Sequence, residues 1–230
     1  LAAKQVELAT CPYVSEESKI KLEASSARPI RLVEIAGEDV KLAVGNETVL
    51  FRHEKTFYHR PGLFLRLKDS LGAEEITKQV TAADAFKADY VGIPLTLDGY
   101  AVEAASGDPA KFAGAVKAVR AATKKPLILI TSAADIAKAG LEAASGTRPL
   151  LHAATAANWE AMAEVAKAAK VPLVARADTL DDLATLTQSL TKAGLEDLVL
   201  DPGVTGPKDS LEKLTTLRRL AIKKNFRPLG

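Results

Sequence analysis

The sequence contains one cysteine, Cys11, in 230 residues. A single thiol cannot close an internal disulfide, so the chain does not read as a stapled secreted domain, and a cytoplasmic setting is expected. Histidine is also scarce. His53, His59 and His152 stand far apart, and no helical His-Glu signature joins them, which argues against a zinc site. No phosphate-loop signature occurs. No apolar run approaches the ~20 residues that a helix needs to cross a bilayer, and no signal peptide is visible. Lysine appears in pairs at most, as in Lys124-Lys125 and Lys223-Lys224, and the formal net charge is only +2. Neither a nucleic-acid face nor a membrane partner is therefore expected.

What is present is an ordinary globular composition, 47% apolar with 14 Gly and 11 Pro. The chain is long enough for one sizeable core. From Leu127 onward, short apolar runs recur about every 23 residues, the length of one strand, one helix and two short loops. The runs are 126–130, 149–153, 172–176 and 197–200. They are continuously apolar, as strands covered on both faces must be. Pro126, Pro149 and Pro172 each stand just before a strand, where a missing amide proton is tolerated. The intervening segments carry helical periodicity, with Trp159, Met162, Val165 and Ala166 in one and Leu183, Leu186 and Leu190 in the next. Asn158 and Asp181 are expected as helix caps, and Gly140 and Gly194 as helix stops.

Earlier in the chain, 30–35 and 40–44 alternate with period two around Gly37-Glu38-Asp39. They predict a small antiparallel ribbon that caps the bottom of a barrel. Further strands are expected at 47–51, 62–67 and 90–95, with a helix from about Ala73 to Phe86. The total is six or seven barrel strands, whereas a closed barrel of this class has eight. The evenness of the units favours a TIM (β/α)8 barrel truncated before its last strands over an open doubly wound sheet, since no Gly-rich dinucleotide turn follows the first parallel strand. The chain begins at Leu1 with a helical stretch and reads as starting inside a larger protein.

Barrel enzymes place their chemistry at the C-terminal strand ends. Candidates there are Asp69, Thr96, Asp98, Thr131, Ser132, His152, Thr155, Arg176, Asp178 and Asp201. Each also has a plainer role. Asp178, Asp181 and Thr131-Ser132 suit helix caps, Asp201-Pro202-Gly203 suits a tight turn, and His152 suits a polar residue satisfied by the core. Gly203-Val204-Thr205-Gly206 could hold an anion on its backbone amides, but so short a loop is a weak signal. A lyase or aldolase would need a lysine at a strand end, and Lys68 is the one well placed. Cys11 sits in Ala9-Thr10-Cys11-Pro12-Tyr13. A lone cysteine is usually a small buried apolar residue, yet a Cys-Pro pair also closes some iron-sulfur motifs.

The stretch Gln5 to Glu17 (QVELATCPYVSEE) resembles the junction that follows the iron-sulfur module in the large subunit of corrinoid iron-sulfur proteins, also known as the gamma subunit of acetyl-CoA decarbonylase/synthase. Phe51-Arg52-His53-Glu54-Lys55-Thr56-Phe57, Ser106-Gly107-Asp108-Pro109-Ala110-Lys111-Phe112 and Asp201-Pro202-Gly203 extend the resemblance over essentially the whole chain. The order and spacing of these strings carry it more than any one of them. The resemblance implies an iron-sulfur module with a [4Fe-4S] cluster, a central TIM barrel and a C-terminal module for a cobalt corrinoid. It implies residues 1–28 as a linker closing the iron-sulfur module and 29–230 as the barrel, incomplete at its C-terminal end. Cys11 becomes the last cysteine ligand of the cluster, and neither cofactor is expected on this chain alone. Implied partners are a barrel-based small subunit, forming a heterodimer, a methyltetrahydrofolate methyltransferase, and acetyl-CoA synthase/CO dehydrogenase. The chain would then be a scaffold in a methyl carrier. The alternative is a pterin-binding methyltransferase barrel in which Asp69, Asp98, Asp178 and Asp201 contact methyltetrahydrofolate.

Overall fold

A computed structural model describes residues 14–51 and 53–230. After a first helix, α1 (Glu16–Ser26), strands β1 (Val33–Ala36) and β2 (Lys41–Val44) pair antiparallel as the expected ribbon. The first parallel unit is β3 (Phe64–Lys68) and α2 (Ala73–Ala85). A separate antiparallel hairpin follows, β4 (Ala88–Tyr90) and β5 (Ile93–Leu95). The rest of the chain is a run of parallel strands, each followed by a helix: β6 (Gly99–Glu103), α3 (Pro109–Ala122), β7 (Leu127–Ile130), α4 (Ala134–Ala143), β8 (Leu150–Ala154), α5 (Trp159–Ala169), β9 (Leu173–Arg176), α6 (Leu180–Lys192), β10 (Leu198–Asp201) and α7 (Pro207–Lys223).

The six-stranded sheet runs β10-β9-β8-β7-β6-β3, parallel throughout. This is a partial (β/α) barrel with the small ribbon beneath it. Alternation along the strands sorts the side chains. Leu67, Tyr100, Val102, Leu127, Leu129, Leu151 and Leu173 point outward into one large core with Ile76, Val80, Phe112, Met162 and Leu183 of the helices. The opposite face holds a smaller cluster of Leu150, Ala153 and Val174, closed from below by Ile35 of the ribbon. The ribbon is held there by reciprocal backbone bonds between Ala36 and Arg148, and by the amide of Glu38 donating to the Lys124 carbonyl. Arg148 and Lys124 both precede strands, so the ribbon does close the bottom of the barrel. Gly37 makes the approach possible, since a Cβ there would lie 2.1 Å from the Lys124 carbonyl oxygen.

Two expected strands are overturned. The run 90–95 is no barrel strand, because Val91 and Gly92 adopt positive φ (53° and 77°) and turn the chain back on itself. The Gly92 amide donates to the Asp89 carboxylate at 2.9 Å and fixes the turn. The second barrel strand is instead β6, where no strand is expected from the sequence. Residues 47–51 form an irregular loop rather than a strand. Its backbone is satisfied by side chains: Arg218 donates to the carbonyls of Val49 and Leu50, and the Glu54 carboxylate accepts from the amides of Leu50 and Phe51.

Helix ends are corrected in detail. Gly140 lies inside α4, not at its end, and its missing Cβ lets the Phe112 ring pack 2.4 Å from where that atom would sit. Gly194 does follow α6, with φ +88. The cap of α6 is Thr179, which accepts from the Asp182 amide, while Asp181 lies within the first turn. Asn158 occupies the cap position of α5, but its side chain makes no cap bond to that helix and accepts instead from the Thr155 amide at 2.6 Å.

Candidate functional site

Parallel strands raise their C-terminal ends to one rim. Asp69, Thr131, Ser132, His152, Thr155, Arg176, Asp178 and Asp201 all lie at or just beyond those ends. Thr96 and Asp98 do not. They precede β6 and so lie at the opposite end, a consequence of the misread strand at 90–95. Asp98 accepts from the Leu63 amide at 2.8 Å and pairs with Arg60, pinning the start of β3 to the start of β6.

The rim's most connected group is on the β8–β10 side. His152 Nε2 lies 3.2 Å from Asp201 Oδ2, and Arg176 Nε lies 3.7 Å from the same oxygen. Asp201 Oδ1 accepts from the Gly203 amide at 2.8 Å. An ionised carboxylate only accepts, so Nε2 of His152 carries the proton. The hydrogen bond from His152 holds the Asp201 carboxyl below its ordinary value; burial pushes the other way, and the Gly203 amide and Arg176 reinforce the lowering. The tight turn expected at Asp201-Pro202-Gly203 is thus part of an ion-pair cluster.

The remaining residues serve locally. Asp69 is buried and accepts from both the amide and the hydroxyl of Ser106, at 2.8 and 2.6 Å, tying the end of β3 to the loop before α3. Thr131 Oγ1 accepts from the Ala133 amide at 3.2 Å, and the Ser132 carbonyl accepts from Asn158 Nδ2 at 2.8 Å. Lys68 ends β3 as an exposed residue. Its neighbours on the inner face, Arg66 and Glu103, form an ion pair that the sequence reading missed because β6 was missed. Also unforeseen was Lys213, which donates to the carbonyls of Asp178 and Pro202.

Chemically, the Asp69 and Asp201 carboxylates of the rim are already occupied by local donors. Asp69, Asp98, Asp178 and Asp201 do not converge: Asp98 is at the far end, and Asp69 and Asp201 belong to the two sides of the sheet. The four-aspartate pterin site is not assembled. Among the described residues, no group of three or more His, Cys, Asp or Glu side chains could hold a metal ion. The described residues therefore offer no ligand set for an iron-sulfur cluster. Cys11 lies outside the described residues. No helix among them is long and apolar enough to cross a membrane.

Comparison with known proteins adds the decisive observation. A family profile described as "CO dehydrogenase/acetyl-CoA synthase delta subunit" matches residues 32–230. The chain belongs to this family. Its relatives carry the names anticipated from the sequence. The "Corrinoid/iron-sulfur protein large subunit" of Moorella thermoacetica is 38% identical over 230 residues, covering 100% of this chain and 52% of the relative. The "Acetyl-CoA decarbonylase/synthase complex subunit gamma" of Methanosarcina acetivorans is 38% identical over 222 residues, covering 92% of the chain and 47% of the relative. The chain spans about half the length of the curated relatives it matches. Among solved structures, dihydropteroate synthase from Thermus thermophilus in complex with 6HMPPP superposes with a TM-score of 0.54 at 19% identity, covering 86% of this chain and 74% of that one. At that identity the likeness speaks for the barrel fold alone.

Proposed function

We propose that this chain is the central barrel of the large subunit of a corrinoid iron-sulfur methyl carrier and acts as a scaffold. The carrier takes a methyl group from methyltetrahydrofolate through a separate methyltransferase and delivers it to acetyl-CoA synthase/CO dehydrogenase in the cytoplasm. Residues 1–28 link the barrel to a module holding a [4Fe-4S] cluster, and 29–230 form the barrel. A small subunit pairs with it as a heterodimer. Support for that pairing comes from the family match: a profile described by the delta subunit matches a chain whose relatives are gamma or large subunits, so one barrel type serves both.

The observation that carries the scaffold reading is the rim itself. Asp69 is held by Ser106 and Asp201 by His152 and Gly203, which is the condition of structural carboxylates rather than of a paired acid and base. The test is a titration of the chain with methyltetrahydrofolate in the presence of free cobalamin. The scaffold reading expects no methyl transfer and no micromolar binding. Saturable binding with transfer to cobalt would replace it with the methyltransferase reading.

A further inference from the structure

The hairpin of β4 and β5 pairs with neither the barrel sheet nor the ribbon. Its register sets Ala88 opposite Leu95, Asp89 opposite Pro94 and Tyr90 opposite Ile93. Side chains alternate along a strand, so Ala88, Tyr90, Ile93 and Leu95 share one face, and Asp89 and Pro94 share the other. The apolar face lies in water. Tyr90 is 68% exposed and Ile93 60%, and Phe86, extended just before β4, is 66% exposed. With Val91 at the tip, the patch leaves on the order of 500 Å² of apolar side chain uncovered, the upper end of what monomers leave bare. A hairpin of two short strands is marginal in water by itself, and further strands beside it are what steady such a unit.

The two outer edges of this hairpin differ. Val91 and Gly92 form a two-residue turn, so Tyr90 and Ile93 close it as a hydrogen-bonded pair, and the next pair, Asp89 and Pro94, points its backbone groups outward. Pro94 has no amide proton to offer there, so the edge of β5 is blocked. The edge of β4 is open. Lys87 and Asp89 are exposed, and among the described residues neither makes a backbone hydrogen bond outside the hairpin. We propose that two copies of this chain pair through the β4 edge, antiparallel, about a two-fold axis at Ala88. In that register Lys87 of one copy lies opposite Asp89 of the other, and each such pair exchanges both backbone hydrogen bonds. Their side chains carry unlike charge; Asp89 Oδ1 accepts from the Gly92 amide, which leaves Oδ2 for the lysine. On the other face Phe86 of one copy meets Tyr90 of the other, an aromatic cross-strand pair that covers the most exposed rings of the patch. A slip that sets Asp89 against Asp89, or Lys87 against Lys87, brings like charges together, so the charges select the register. The blocked β5 edge closes the assembly at a dimer. No rim residue takes part, so the pairing is independent of the scaffold reading.

Sedimentation velocity of the chain, run from about 5 to about 300 µM, should show a reversible monomer–dimer equilibrium with a Kd of about 10–100 µM, the weak range that so small an interface supports. Lys87→Glu sets acidic groups opposite each other and should weaken the dimer about 10-fold; Asp89→Lys does the same with basic groups. Mixed in equal amounts, these two variants again place unlike charges opposite each other, and the mixture should regain the parent's affinity. Asp89→Lys also gives up the bond to Gly92, so Phe86→Ser, which keeps the turn and both charges, serves as a further variant and should weaken the dimer about 10-fold. Circular dichroism selects the variants that fold as the parent does. A chain that stays monomeric up to about 300 µM overturns the proposal, as does a folded Lys87→Glu or Phe86→Ser variant that dimerises like the parent, or a mixture of the two folded charge variants that stays monomeric. Loss of small-subunit pairing in Lys87→Glu, in place of self-association, would assign the hairpin to that partner and overturn the proposal too.

Discussion

Asp84 shows how individual residues set the register of the outer core. Burial pushes its carboxyl up, but hydrogen bonds from Lys125, Tyr100 and Thr123 outweigh that and hold it below the usual value. Tyr100 is fully buried, and its phenol donates to Asp84 at 2.6 Å; burial and that bond push the phenol well above its ordinary value. Tyr100→Phe should cost about 1–2 kcal/mol at neutral pH by urea denaturation. A carboxyl depressed in the folded state contributes stability above its unfolded pKa of about 4 and loses it as pH falls through the folded value. The difference between Tyr100→Phe and the parent should therefore shrink in acid below that range. A difference that is constant with pH would mean that the phenol acts through packing alone. At the same scale, the proposed role of Cys11 makes a separate prediction. Cys11→Ala in the full-length protein should lose or convert the four-iron cluster, read as iron per polypeptide and as the reduced cluster's paramagnetic signal under anaerobic conditions. Unchanged iron and spectrum would make Cys11 an ordinary structural cysteine.

At the scale of elements, the ribbon is the part most easily separated from the barrel. It rests on Ile35, on the Ala36–Arg148 backbone pair, and on Arg148 donating to the carbonyls of Glu34 and Lys170. Ile35→Ala removes the side chain that closes the lower cluster and should cost about 2–5 kcal/mol. Gly37→Ala should release the ribbon with less loss of core, because the added methyl meets the Lys124 carbonyl rather than emptying a cavity. Limited proteolysis at 37–41 should speed up in both variants, and unchanged cleavage in Gly37→Ala would show that the ribbon does not need that close approach. The ribbon was legible from its alternation around Gly37-Glu38-Asp39, and the four regular repeats from Leu127 onward because each strand is a short apolar run, three of them behind a proline. β6 was not, because Gly99–Glu103 opens on a glycine, ends on a charge and has no proline before it, while the neighbouring 90–95 looked more strand-like. The Val91-Gly92 turn signal was present in that run, but its continuous hydrophobicity outweighed it in the reading. That single misreading also sent Thr96 and Asp98 to the wrong end of the barrel and hid the Arg66–Glu103 pair.

At the scale of the whole molecule, the strand order ends at β3 on one side and at β10 on the other, and the two do not pair. Among the described residues neither edge strand has a second strand partner, which leaves each edge a template for further strand addition. The expectation of an incomplete (β/α) barrel matches this arrangement. The rim was legible as a set of residues but not as a site, since periodicity fixes which strand ends carry polar groups and says nothing of which partners occupy them. The central claim is that this barrel holds other modules in place while the methyl chemistry happens elsewhere. The most direct measurement is methyl transfer by the full-length protein, assembled with its small subunit and methyltransferase, with the rim altered as His152→Gln together with Asp201→Asn. The account predicts that the methyl group reaches cobalt at the parent's rate in the altered protein, provided assembly and cofactor content are unchanged. A fall of about 100-fold or more in a folded, fully loaded and correctly assembled variant, the size expected when a general acid or base is removed, would contradict it.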